Sequence, residues 1–237
     1  MARLKVGIPL YEDFDSLDVV GPYQTFTIAD MDCHLIGPSI NGFVTSWEGV
    51  SIKPTKTFDD RLDLDVLFVP GGSNPVRDVI QHGTLGNNPY LDYLVKHKET
   101  PWICSVCTGA LLLAAAGLLR GHTCTTHWAF KDVLRVFPGV DVVPDYRRHV
   151  RSDNRITGAG ISSGLDESFY IVSAILGLDA ARMCQLKMQY RPDPVVHCGD
   201  PSDTDIRDNP GMVRQVRDQW QIDKAAVDVE HWLTGAT

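Results

Sequence analysis

The chain has 237 residues, 43% of them hydrophobic and 22% charged, an ordinary balance for one α/β domain with a single sizeable core. A formal net charge of −8 and a pI of about 5.4 argue against nucleic acid or an anionic membrane as the main partner and leave a small molecule or a protein as the expected one. The six cysteines, Cys33, Cys104, Cys107, Cys124, Cys184 and Cys198, do not make a dense disulfide framework in a chain this long and are expected as free thiols.

The N-terminus, MARLKVGIPLYEDFD, has a brief apolar run and then acids. It reads as a first strand over Leu4–Leu10 and not as a secretory signal. No window approaches the ~18 apolar residues of a membrane span, so the cytoplasm is the expected compartment. The acidic loop leads to LDVVGPYQTF from Leu17, where Gly21-Pro22 can bend or restart a helix. Asp18 then falls near the carboxyl end of the first strand, on a turn or a first helical residue. Asp32–Ile36 reads as a second strand and Phe43–Lys53 as short strands or a hairpin. Val66–Val69 is a continuous apolar strand stopped by Pro70-Gly71-Gly72, the pattern of a buried parallel strand with a glycine loop at its carboxyl end.

Leu85–Lys98 is an amphipathic helix by its apolar spacing. Trp102–Val106 is a short strand that runs directly into an uncharged, Ala- and Leu-rich helix predicted over Thr108–Leu119. After Gly121 and TTHW from Thr125 comes a helix with Ala129, Val133, Val136 and Phe137 on one face, stopped by Pro138-Gly139. Asp141–Val143 and His149–Thr157 read as strands, the latter a hairpin turning at Asp153-Asn154. The loop TGAGISSGLD from Thr157 opens a helix with a capping box at Ser163 and Asp166 and a core face of Leu165, Phe169, Val172 and Leu176. The stretch 191–205 is irregular, and two last helical segments form a C-terminal extension over about 206–237.

Strands alternating with helices predict an α/β fold, a flavodoxin-like three-layer α/β/α sandwich with a mostly parallel central sheet. In such sheets sites lie beyond the carboxyl ends of the strands. That gathers Asp18, Gly71-Gly72, Cys107-Thr108 and the loop from Gly158 to Ile161 at one edge. Cys107 stands at a strand-to-helix nucleophile elbow, where the helix N-terminus favours a thiolate at neutral pH. Gly109 leaves the sharp turn unobstructed.

Other readings of these residues are weaker. Cys104, Cys107, Cys124 and His127 have the spacing of a four-ligand zinc site, but the residues after Cys107 form an uninterrupted apolar helix instead of a knuckle. Cys104 lies inside the strand, unlike a redox dithiol in an exposed first turn. His127 could polarise a group near Cys107 or simply be a satisfied loop histidine beside Trp128. Asp193, Asp200, Asp203 and Asp205 lack the spacing of a calcium loop.

LDVVGP from Leu17, VPGG from Val69, SVCTGALLLAAAGLLRG from Ser105, TTHW from Thr125 and TGAGISSGLD from Thr157 together resemble the DJ-1/PfpI superfamily, related to class I glutamine amidotransferases. Within it they look most like the isocyanide (isonitrile) hydratases. The resemblance runs over nearly the whole chain as one domain, 1–237, and the tail from Tyr190, YRPDPVVHCGDPSD, is similar to the hydratase tail except at His197-Cys198. Much of the pattern is shared with sensor domains of AraC-type regulators, whose DNA-binding region has no room here. Proteases of the family place His after the nucleophile, where this chain has Thr108.

The resemblance implies a lyase that adds water to R–N≡C to give a formamide, without metal or organic cofactor, as a homodimer. It implies Cys107 as nucleophile, Asp18 as the acid/base partner, and the N–H groups of Gly72 and Thr108 as stabilisers of developing charge. Ile161 and His127 would line the substrate pocket. A DJ-1-like glyoxalase or a non-catalytic redox or ligand sensor is the alternative it leaves open.

Overall fold

The computed structural model describes residues 3–207 and 209–235. The extreme C-terminal residues of the predicted extension therefore lie outside the described residues. In chain order the elements begin with β1 (Lys5–Pro9), α1 (Ser16–Ile28), β2 (Asp32–Gly37), β3 (Val44–Thr45), β4 (Ser51–Ile52), β5 (Lys56–Thr57) and β6 (Val66–Val69). They continue with α2 (Pro75–Asp78), α3 (Pro89–Lys96), β7 (Trp102–Ser105), α4 (Gly109–Ala115), β8 (Thr123–Cys124), α5 (Lys131–Arg135), β9 (Asp141–Val142), β10 (His149–Ser152) and β11 (Arg155–Gly158). The helices α6 (Ser163–Leu176), α7 (Leu178–Met188), α8 (Thr204–Arg207), α9 (Pro210–Gln219) and α10 (Ile222–Thr234) follow.

The main sheet runs β10-β11-β7-β6-β1-β2-β5. All its pairings are parallel except the β10–β11 hairpin. β6 and β7, at its centre, are Val, Leu, Phe, Trp and Ile with a single cysteine and serine, and Val66–Val69 are fully buried. Strands covered on both faces need such continuous apolar runs, because neither face meets water. The chain is thus an α/β protein whose parallel strands all deliver their carboxyl ends to one edge.

Four local expectations are corrected. Gly21-Pro22 neither restarts nor breaks the first helix: α1 runs straight through Pro22 with both residues buried, and packing against the sheet and α6 outweighs the one backbone bond that Pro22 forfeits. The helix after the elbow is shorter than Thr108–Leu119, ending at a C-cap on Ala116 before Gly117, whose φ is +75°. The leucines beyond still pack into the core, so apolar content overstates helix length here. The α3 helix starts at Pro89 behind an Asn88 side-chain cap, four residues after the expected start. Finally, α6 buries Ser163, Gly164, Glu167, Ser168, Ile171 and Val172, while Leu176 is exposed and Asp166 turns outward to Arg148. Val172 is buried as expected and Phe169 packs against the core, but the inner face is polar and small near the site, so apolar spacing alone misses Ser163, Glu167 and Ser168.

Candidate active site

The β7–α4 elbow is built by two close approaches. A Cβ on Gly109 would stand 2.2 Å from the Val69 carbonyl oxygen, and one on Gly71 would stand 2.6 Å from the Thr108 nitrogen. Glycine at both positions lets the first turn of α4 seat directly on the end of β6. Between them Cys107 adopts φ +54°, a left-handed conformation that costs a non-glycine residue about 1–3 kcal/mol and persists only where its surroundings fix it. The fixing bonds are visible. Cys107 N–H donates to the Ala159 carbonyl at 2.7 Å, and Thr126 Oγ1 donates to the Cys107 carbonyl at 2.7 Å.

Asp18 comes to this elbow from the third position of α1, behind an Asp15 side-chain cap on Leu17 N–H. Gly71 N–H donates to Asp18 Oδ2 at 2.9 Å, and its other oxygen, buried, has no hydrogen-bond partner among the described residues. Asp18 is fully buried, and burial first, then the nearby Asp15 carboxyl, push its pKa well above the usual carboxylate range. The Cys107 thiol faces this carboxyl. Burial pushes the thiol up too, and the carboxyls of Asp18 and Asp15 add to the push, while the Thr108 N–H beside the sulfur works the other way. Burial and the two neighbouring acids thus oppose the thiolate that the helix N-terminus is expected to favour.

Thr108 and Gly72 form a closed pair. Gly72 N–H donates to Thr108 Oγ1 at 2.9 Å, and that hydroxyl donates to the Gly72 carbonyl at 2.8 Å. The Gly72 amide is thus already engaged, whereas the Thr108 amide is aimed at the sulfur. Ile161 lines the cavity of about 220 Å³ that opens above Cys107, together with Asp15, Trp47, Ser73, Phe130 and Trp220. His127 does not line it. Its ring packs edge-on to Trp220, 4.9 Å between centroids, and its Nδ1 accepts from Ala129 N–H. Burial lowers its pKa to about 4, so His127 is neutral and supports the cavity wall from behind. Among the described residues no three His, Cys, Asp or Glu side chains gather as a metal site.

Two buried groups near the site had no signal in the sequence pattern. The Tyr11 hydroxyl stands 2.7 Å from where a Gly72 Cβ would be and has no hydrogen-bond partner among the described residues. Glu167 is fully buried in α6 over Gly158, with neither carboxyl oxygen partnered among the described residues. Burial first, and Asp18 second, raise its pKa well above the normal range. A carboxyl raised in the folded state stabilises the fold fully only below its unfolded pKa, and that stability drains as pH climbs towards the folded value. Glu167→Gln removes this loss. Its stability relative to wild type should grow between pH 5 and pH 7 by up to about 1.4 kcal/mol per pH unit, measured by urea unfolding at both pH values. A difference independent of pH would mean that Glu167 is ionised.

A model of the DJ-1/PfpI family matches residues 4–174, which includes the elbow, Asp18 and Glu167. The chain belongs to the DJ-1/PfpI family. It is 36% identical over 200 residues to an isonitrile hydratase of Pseudomonas putida, an alignment covering 84% of this chain and 83% of that protein. It is 26% identical over 54% of its length to a deglycase of Pyrococcus horikoshii, covering 75% of the latter. The structure of a ThiJ/PfpI family protein from Pseudomonas syringae superposes with a TM-score of 0.83 at 32% identity, over 95% of this chain and 91% of that one. The fold is the flavodoxin-like α/β sandwich expected from the element order.

Proposed function

We propose that this DJ-1/PfpI member is a cytoplasmic isocyanide hydratase, adding water to R–N≡C through a thioimidate on Cys107. The observation that carries the reading is a strained, buried cysteine facing a carboxyl whose pKa burial raises, beneath a small apolar cavity. An isocyanide needs both: a soft nucleophile for its terminal carbon and a proton for that same carbon.

In this reading the site rests with its protons on sulfur and carboxyl, and that sets the order of events. Sulfur bonds to the terminal carbon while Asp18 gives that carbon a proton and takes up the thiol's own, leaving R–N=CH–S–Cys107. Water then adds to the carbon, its proton passing through Asp18 to the substrate nitrogen. The C–S bond breaks, the thiol is restored, and R–NH–CHO leaves. Thr108 N–H steadies negative charge on sulfur as that bond forms and breaks. The Gly72 amide contributes only when its bond to the Thr108 hydroxyl opens.

The chain has no helix long and apolar enough to cross a membrane among the described residues, and its six cysteines are unpaired. A homodimer is part of the same reading, supported by the exposure of Leu178, Met183 and Leu186 on α7 and of Val195, which is 96% exposed. The test is turnover of an alkyl isocyanide and of methylglyoxal by the purified protein. Formamide release without loss of methylglyoxal supports a hydratase, and the reverse assigns a glyoxalase. Light scattering of the same sample that gave a mass near 26.2 kDa would remove the dimer.

A further inference from the structure

Three aromatic rings face the cavity over Cys107, and they come from three distant parts of the chain. Trp47 lies in the β3–β4 turn, Phe130 just before α5, and Trp220 at the corner between α9 and α10. Each is held. Trp47 N–H donates to the Phe14 carbonyl at 3.1 Å, and its indole N–H donates to Asp15 Oδ2 at 3.3 Å. Phe130 and Trp220 stack with centroids 6.0 Å apart and an interplanar angle of 29°. Trp220 is also backed by the His127 ring, and the buried Ile222 that follows it pins the corner to the core.

Trp220 and its neighbour Gln219 lie outside residues 4–174, so the C-terminal extension completes the cavity. At about 220 Å³ the space is smaller than the ~300–1,000 Å³ typical of drug-sized ligands, which leaves room for one ring. Flat π faces reward a flat ring beyond the area it buries, whereas a saturated ring of the same carbon count is thicker and gains only from area.

We propose that Trp47, Phe130 and Trp220 form a slot selecting a planar aryl substituent, and that the C-terminal extension thereby sets substrate choice. This rests on the hydratase reading for the isocyanide group, but not for the ring. Phenyl isocyanide should be hydrated with a kcat/KM about tenfold above that of cyclohexyl isocyanide, the advantage expected from one or two aromatic contacts. Trp220→Leu and Trp47→Leu should each shrink that ratio. Trp47 is half exposed, so its variant tests the slot even if the Trp220 change disturbs packing.

Binding of the corresponding formamides to the intact protein, followed by tryptophan fluorescence, separates the two claims. Tighter binding of formanilide than of N-cyclohexylformamide, reduced in the leucine variants, supports the slot even with no isocyanide turnover. Equal binding of the two, or a preference unchanged in both variants, overturns it and leaves the hydratase reading standing.

Discussion

Cys107→Ala and Cys107→Ser are expected to fold like wild type and to lose all measurable isocyanide turnover, whereas Cys104→Ser keeps most of it. Both cysteines are buried in or beside β7, only three residues apart, yet their surroundings differ in kind. Cys104 lies inside the strand, fully buried, paired in register with Phe68 and Ile156. Its substitution by Ser buries a hydroxyl, a cost of about 1–3 kcal/mol read in melting temperature, but touches nothing that reacts. Cys107 faces Asp18, Thr108 N–H and the cavity. Because its thiol already needs help to lose a proton, a hydroxyl, far less acidic and less nucleophilic, should be inert there. The left-handed backbone persists in both variants, since Ala159 and Thr126 hold the peptide and not the side chain. Comparable loss in Cys104→Ser would point to a dithiol.

Much of this geometry was legible in the sequence because it rests on backbone grammar. Val66–Val69 before Pro70-Gly71-Gly72, and Trp102–Val106 before an uncharged helix, declare parallel strands ending in tight turns, and parallel strands bring their ends together. What the pattern did not carry was burial of polar groups. Glu167 sits where apolar spacing expects solvent, and its raised pKa depends on burial and on Asp18, far away in sequence. His127 stands behind Trp220, a ring delivered by the extension, and lines a separate cavity together with Ile161. The upward push on the thiol likewise reflects burial together with two carboxyls, which no local spacing encodes.

Asp18→Asn should lower isocyanide turnover by about 10²- to 10⁴-fold, the usual worth of a positioned acid/base group, while leaving Cys107 open to iodoacetamide. The amide has the shape of the carboxyl, and its oxygen can still accept the Gly71 N–H bond made at 2.9 Å, so the elbow should keep its form. It cannot take a proton from sulfur and return one to carbon. The pH dependence gives the sharper reading. In wild type the Asp18 charge, when present, opposes ionisation of the thiol. Removing it should move the alkylation limb of Cys107 to lower pH, so the variant becomes the more reactive thiol and the poorer catalyst. Stability should move as well. Because burial raises the Asp18 pKa in the folded state, the wild type loses stability as pH rises above the unfolded carboxylate value, and Asp18→Asn is spared that loss. Asp18→Glu, one methylene longer, retains a proton but misplaces it, and should lose most turnover without the alkylation shift. Near wild-type turnover in Asp18→Asn would take the carboxyl out of the mechanism, and an alkylation limb that moved to higher pH would mean that Asp18 stabilises the thiolate instead of opposing it.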